Sequence, residues 1–534
     1  MIRIAVVADP HVHDCDWVPS GSGLAGAIRS YGETVASTRV FNESLPAFRA
    51  ALSRAVEEGA KLVLLVGDLT DDGQAPNIAA ALALIAEFRA KHGLRVLAVP
   101  GNHDFHALAG RPQFKGFLTD DGDLCRIDSA DCPEAATLGA ELALRRMQSL
   151  GYLPDPQDLH WETPFGQDPD WSARQYDLSS PDALTRCRMI DASYLVEPVA
   201  GLWVLALDAN VCVPRNGATD LADPKAFEDA GKGGWAAVLD HRAHLLGWIA
   251  DVARRARAGG KQLVAFSHYP PLDVLAGAGL EELLVLEQSG LARRTAPAHV
   301  ARVFAETGVG LHFSGHLHVN DTALHREAGA GFCNIAVPSP VGFCPAMKIV
   351  DLERGKIRLR TPLLDKVPGH DRAFAAYRAE AARLGQSAPF ASLAPDHAAF
   401  LDRHLVELVH GRYLSREWPQ DMADFIGWAR MADLLAILGL EADLPDLPLT
   451  LLVEDWYRLR KGGGLALSHI ARERIACYRR LCAMLPGPFP GASEAPEPMP
   501  ARFIRVLRIL GRYLDRLPNV DFTLDMAELT VSGR

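Results

Sequence analysis

Short apolar, β-branched runs alternate with amphipathic helical stretches from residue 1 to about 365, the signature of an α/β domain built on buried strands. The runs predict strands at Ile2 to Ala8, Lys61 to Val66, Arg95 to Val99, Gly201 to Leu207, Gln262 to Phe266, Gly310 to Phe313 and Gly331 to Val337, with a hairpin-like pair at Lys348 to Asp351 and Lys356 to Arg360. Between Phe105 and about Ala200 the rhythm gives way to a polar stretch rich in Asp, Pro and Gly, with one helix expected from Ala135 to about Leu150. Long irregular segments in compact domains are usually binding loops or lids, so this insertion (105–200) is read as a lid over a site. A second loop, Val211 to Gly234, carries Arg215 and Asn216 toward the same mouth. After Pro368 helical patterns take over: Asp371 to Leu384, Asp396 to Leu414, Asp421 to Leu438, Leu449 to Arg460, Leu465 to Leu485 and Ala501 to Leu517. They predict a helical C-terminal domain over 370–534 beside a larger domain over 1–365, with Pro486 to Pro500 as a linker or exposed loop.

Composition narrows the class without deciding it. With 534 residues, 49% hydrophobic and 23% charged, the chain is an ordinary globular protein with room for well-filled cores. A net charge of -11 argues against a protein that coats nucleic acid non-specifically. Nine cysteines without CxxC pairs point to free thiols in a reducing compartment and away from structural zinc. The N-terminus reads directly as a strand, and no apolar run approaches a bilayer span, so a cytoplasmic location with no membrane partner is the expectation.

Five polar clusters then stand just past the C-terminal ends of expected strands, where open α/β sheets gather their ligands. They are Asp9-Pro10-His11, Gly67-Asp68-Leu69-Thr70-Asp71-Asp72-Gly73, Gly101-Asn102-His103-Asp104, Ser267-His268-Tyr269-Pro270 and Gly315-His316-Leu317-His318. Carboxylate, imidazole and amide oxygen suit manganese, iron, zinc and related divalent ions, and such a mixed set implies catalysis. Two metals about 3.5 to 4 Å apart need a bridging ligand, and the carboxylate of Asp68 is the natural choice.

In these residues the chain resembles the calcineurin-like metallophosphoesterase superfamily, whose pattern is D-x-H, GD-x-x-D-x-G, GNH(D/E), a lone His and G-H-x-H in that order. The resemblance spans roughly residues 1 to 360 and implies a four-layer α/β/β/α sandwich of two mixed sheets. Carried over by position, it implies that Asp9, His11, Asp68 and His318 hold one cation, and Asp68, Asn102, His268 and His316 the other. The cofactors implied are two divalent metal ions (Mn, Fe, Zn or a mixture), which lower the pKa of a shared water so that hydroxide attacks phosphorus. His103 would touch a phosphate oxygen or protonate the leaving alkoxide, with Asp104 holding its ring and Asp71 supporting the ligands from behind. Purple acid phosphatases carry a Tyr three residues after the bridging Asp; Asp71 stands there, so an iron-tyrosinate centre is not expected.

Other eye-catching residues have plainer readings. His13, His241 and His244 read as loop or helix histidines facing solvent, and His312 as a satisfied sheet residue. Trp161, Arg174 and Tyr176 in the insertion read as lid packing, with a grip on substrate as the alternative. From Leu447 to Arg516 twelve Arg or Lys face six Asp or Glu; Arg502, Arg505, Arg508, Arg512 and Arg516 read as the solvated face of an amphipathic helix. The function expected is hydrolysis of a small phosphodiester or phosphomonoester. A nuclease on DNA or RNA would need an open basic groove along several phosphates. A non-catalytic scaffold of the same fold would be expected to lack ligands that are all present here.

Overall fold

The computed structural model describes residues 1–286, 288–327, 329–485 and 497–533. The strands Leu62–Val66 and Leu202–Leu207 are buried along their whole length, as expected of runs covered on both faces. Each such Leu, Ile or Val side chain contributes roughly 1.5–3 kcal/mol by leaving water.

Two seven-stranded mixed sheets result. The first runs in the order Thr530–Gly533, Phe522–Asp525, Lys356–Arg360, Lys348–Glu353, Ile2–Val7, Leu62–Val66, Arg95–Val99. The second runs Asp321–Glu327, Ala330–Ala336, Leu311–Ser314, Gln262–Ser267, Leu202–Leu207, Tyr194–Val199, His160–Glu162. The sheets face each other where Arg95–Val99 meets Leu202–Leu207 and Leu62–Val66 meets Gln262–Ser267. Helix Ser44–Glu57 packs on the first sheet, and helices Ala243–Ala258 and Ala298–Glu306 on the second, which makes the expected four layers. Ile2–Val7, Leu62–Val66 and Arg95–Val99 are parallel neighbours, as are Gln262–Ser267 and Leu311–Ser314. Their C-terminal ends therefore open on one side of the molecule.

The insertion differs from its reading as a lid. Its second half supplies core strands, His160–Glu162 and Tyr194–Val199, which complete the second sheet. The expected helix is shorter, Ala140–Arg146, and two hairpins were not foreseen, Phe114–Leu118 with Leu124–Asp128 and Gln175–Ser179 with Arg186–Ile190. Trp161 donates to the Gly151 carbonyl, and Arg174 stacks between Trp161 and Trp171, each 4.8 Å from its guanidinium carbon. Tyr176 lies under Arg242, a guanidinium buried in ion pairs with Asp191 and Asp208. All three insertion residues pack the protein and none is free to grip a substrate.

The C-terminal helices form largely as read, with Asp421 to Leu438 broken into Gln420–Trp428 and Met431–Leu438, where Asp433 caps the Arg430 amide at 2.8 Å. The linker expected at Pro486 to Pro500 lies, up to residue 496, outside the described residues. Two findings change the picture of this region. Phe522–Asp525 and Thr530–Gly533 return to the first sheet, so the chain's last strands are not helical. The arginine row on helix Met499–Leu514 is no solvated face either: Arg505 pairs with Glu281 and Glu497, Arg502 with Asp421, and Arg512 reaches the Gly277 carbonyl.

Candidate metal centre

All seven expected ligands lie at those aligned strand ends and converge. Asp9, His11 and His318 bring ligand atoms within 4.8 Å of one another, and so do Asp68, His268 and His316. One carboxylate links the two groups: Asp68 Oδ2 lies 3.7 Å from His11 Nε2 and 3.2 Å from His268 Nε2. Asn102 Oδ1 completes the second group, 3.2 Å from His268 Nε2. Within each group imidazole nitrogens face each other at short range, His11 Nε2 to His318 Nε2 at 3.1 Å and His316 Nδ1 to His268 Nε2 at 3.2 Å. A cation placed between such rings would take a lone pair from each.

The backbone holds these side chains at a cost. Asp9, His11, Asp68, His316 and His318 have φ of 52°, 44°, 48°, 68° and 50°, the left-handed region that side chains other than Asn, Asp and Gly avoid. Such strain, of order 1–3 kcal/mol per residue, persists only where the surroundings impose it, and it gathers at functional sites. The glycines beside the ligands are needed for room. A Cβ on Gly67 would stand 2.4 Å from His268 Nδ1, and one on Gly101 would stand 2.1 Å from Asp68 Oδ1. We expect Gly101→Ala to stay folded by circular dichroism but to bind metal about 10- to 100-fold more weakly; metal binding unchanged in a titration would show that the loop yields freely.

Burial sets the protonation. It holds the rings of His11 and His316 well below the usual histidine range, with the charge of Arg39 adding to the effect at His11 and that of His268 at His316. Neutral imidazole is the form that binds metal. His268 is the exception: burial works against its charged form, yet Asp68 and Asp9 carry it up to about 9, so a proton stands where a cation would otherwise balance the carboxylates. Donor chemistry, convergence and this demand for positive charge all fit divalent metal ions.

His103 sits at the rim. Its amide donates to Asp68 Oδ1 at 2.8 Å, which ties its loop to the shared carboxylate. Its ring partner is not the expected one. His103 Nδ1 is 2.7 Å from Asp72 Oδ1, while Asp104 turns inward and accepts from the amides of Gly101 and Thr70 at 2.8 and 3.0 Å. Asp104 therefore shapes the loop and Asp72 orients the ring. Burial and then the charge of Asp68 raise Asp104 to about 6. Asp71 is buried and meets Arg29, Arg39 and Lys115 at 3.0, 2.5 and 2.9 Å. Asp71, Asp72 and His103 also lie close enough to resemble a third ligand group, but the cations on them already supply the positive charge.

Sequence reasoning missed Asp72, Arg39, Arg111, Lys115 and Lys461. Lys461, at the end of helix Leu449–Gly462, is buried and donates to the Leu317 carbonyl at 3.0 Å, between the two histidines of the last cluster. Burial, reinforced by Arg460, pushes its amine down to about 7. Lys115 rides on the first hairpin of the insertion, so that half does border the site. His13 is buried, not solvent-facing, and its Nε2 lies 2.6 Å from the Ala27 carbonyl oxygen; His312 is satisfied between Ser267 and Asn334 as read.

Two facing mixed sheets thus carry one carboxylate–imidazole centre at their shared strand ends. Residues 2–173 match the family model described as calcineurin-like phosphoesterase, so the resemblance carried by the motifs holds over that stretch. Among solved structures the chain is similar to a dimetal phosphatase from Danio rerio, at 11% identity and a TM-score of 0.37, over 67% of this chain and 95% of that one. It is also similar to the purple acid phosphatase PPD1 from yellow lupin (Lupinus luteus) seeds, at 10% identity and a TM-score of 0.32, over 68% of this chain and 51% of that one. A third is GAP50, the anchor in the inner membrane complex of Plasmodium, at 11% identity and a TM-score of 0.28, over 68% and 84%. No curated protein matches the sequence. Among the described residues no helix is long and apolar enough to cross a membrane.

Proposed function

We propose that the chain hydrolyses small phosphate esters, monoesters or diesters, with two divalent cations of the manganese, iron or zinc kind. The observation that carries this reading is Asp68 Oδ2 standing within 3.7 Å of a ring nitrogen in each ligand group. Asp9, His11, His318 and Asp68 would hold one cation, and Asp68, Asn102, His268 and His316 the other. When bound, such a pair supplies an acidic water and neutralises phosphate oxygens.

The chain's own residues do the rest. His268 gives its Nδ1 to the Val66 carbonyl at 3.1 Å, which fixes the ring with Nε2 toward the site. Asp72 holds the proton on His103 Nδ1, leaving Nε2 to meet a phosphate oxygen or, when protonated, to give its proton to the departing oxygen. Lys461 holds the Leu317 carbonyl and with it the turn that carries His316 and His318. Nine unpaired cysteines support a cytoplasmic setting, and the acidic balance favours a small substrate over nucleic acid.

The test is turnover of an aryl phosphate and an aryl phosphodiester with manganese added to metal-stripped protein. Activity restored by metal on at least one ester is expected. A chain that takes up two metals and cleaves neither would overturn the reading and leave a scaffold.

A further inference from the structure

Most of the candidate ligands are buried, while Asn102 and the groups around His103 are partly exposed. Asp9, His11, Asp68 and His268 are at most 2% exposed, whereas the side chains of His103 and Asp72 are 23% and 16% exposed and that of Arg111 is 38%. The open side of the centre is therefore the His103 side, and its walls are cationic. Arg39 Nη2 lies 3.3 Å from His103 Nδ1, and Arg111 Nη2 lies 3.3 Å from the Asp72 oxygen that holds the same nitrogen.

Arg29, Arg39, Arg111 and Lys115 meet Glu33, Asp71 and Asp72 in ion pairs, and the charge of Asp68 acts on Arg39 as well. Lys115 and Arg29 lie deep beside Asp71, whereas Arg39 and Arg111 stand at the rim. The Nε atoms of both Arg39 and Arg111 are buried without a hydrogen-bond partner, a costly state for a charged donor. Both residues stand on anchored backbone: Arg111 exchanges amide and carbonyl with Thr137 at 3.1 and 3.0 Å, and the residue after Arg39 donates to the Val341 carbonyl at 3.0 Å.

We propose that Arg39 and Arg111 form a second anion subsite, and that the preferred substrate is a small phosphate ester whose leaving group carries a further phosphate or carboxylate. This rests on the hydrolase reading above. His103 faces the departing oxygen in that reading, and the arginines flank His103, so the charge they meet belongs to the leaving group. Planar guanidinium donors recognise both phosphate and carboxylate through paired hydrogen bonds.

The experiment compares kcat/KM for 4-nitrophenyl phosphate and for a nitrophenyl phosphate bearing a ring carboxylate, together with inhibition by inorganic phosphate and by diphosphate. The manganese-loaded wild type is expected to favour the carboxylated ester and diphosphate by about tenfold, near 1.4 kcal/mol. Arg111→Gln and, separately, Arg39→Lys should bring both ratios toward one. Arg145→Gln, on the exposed helix Ala140–Arg146, should leave them unchanged. A wild type that hydrolyses both esters equally well, or ratios that survive in Arg111→Gln, would overturn the subsite alone. No turnover of either ester by metal-loaded wild type would remove the hydrolase reading and the subsite with it.

Discussion

Asp68→Ala is expected to abolish paired metal binding and to lower turnover by about four orders of magnitude. Asp68 stands between the ligand groups: Oδ2 lies 3.7 Å from His11 Nε2 and 3.2 Å from His268 Nε2, and Oδ1 accepts the His103 amide at 2.8 Å. Alanine removes the anion that would let two cations sit side by side, and it releases the loop that aims His103. The isosteric Asp68→Asn keeps shape but halves the argument for a second cation, so it should retain at most one metal. Asp68→Ala also strands His268 and the His103 amide without their buried carboxylate partner, so some loss of stability is expected beside the loss of metal, and less in Asp68→Asn. Metal content by elemental analysis after dialysis, beside far-ultraviolet circular dichroism, separates these effects. Two metals retained by Asp68→Ala would refute the bridging assignment.

His103→Ala should behave in the opposite way, keeping both metals while losing between about a hundredfold and ten-thousandfold in turnover. Its ring lies against Asp72 and Arg39, outside the seven ligands. The loss should fall mainly on kcat for esters with poor leaving groups, and shrink for activated aryl esters whose leaving oxygen needs no proton. Asp72→Asn, which removes the charge orienting the ring, is expected to reproduce part of the defect, and Asp104→Asn to act through loop stability instead. Equal losses on activated and unactivated esters would exclude His103 as the proton donor.

The candidate ligands were legible in the sequence because their clusters close β-branched runs that had to be buried strands. Asp9, Asp68, Asn102, His268 and His316 are placed by the sheets themselves, and the chain needs only a turn to present them. What escaped was held by contacts between distant segments. His103 has a carboxylate beside it in the chain, Asp104, and another far from it, Asp72; the turn that sends Asp104 back to the Gly101 amide leaves the distant one on the ring. Arg39, Arg111 and Lys461 stand in no motif, and only the folded loops bring them to the rim. The strands His160–Glu162 and Phe522–Asp525 are short and lie in polar surroundings, so alternation could not mark them; pairing with Tyr194–Val199 and Lys356–Arg360 defines them.

The closing hairpin of the first sheet has a consequence for biosynthesis. Lys356–Arg360 leaves the ribosome well before Phe522–Asp525, the strand that pairs with it. Until then its outer rim is an unpaired template on which a neighbouring nascent chain could add itself. The helices in between separate the two strands in the chain, so a product cut short within them is expected to keep that rim open and to self-associate, which size-exclusion chromatography would show.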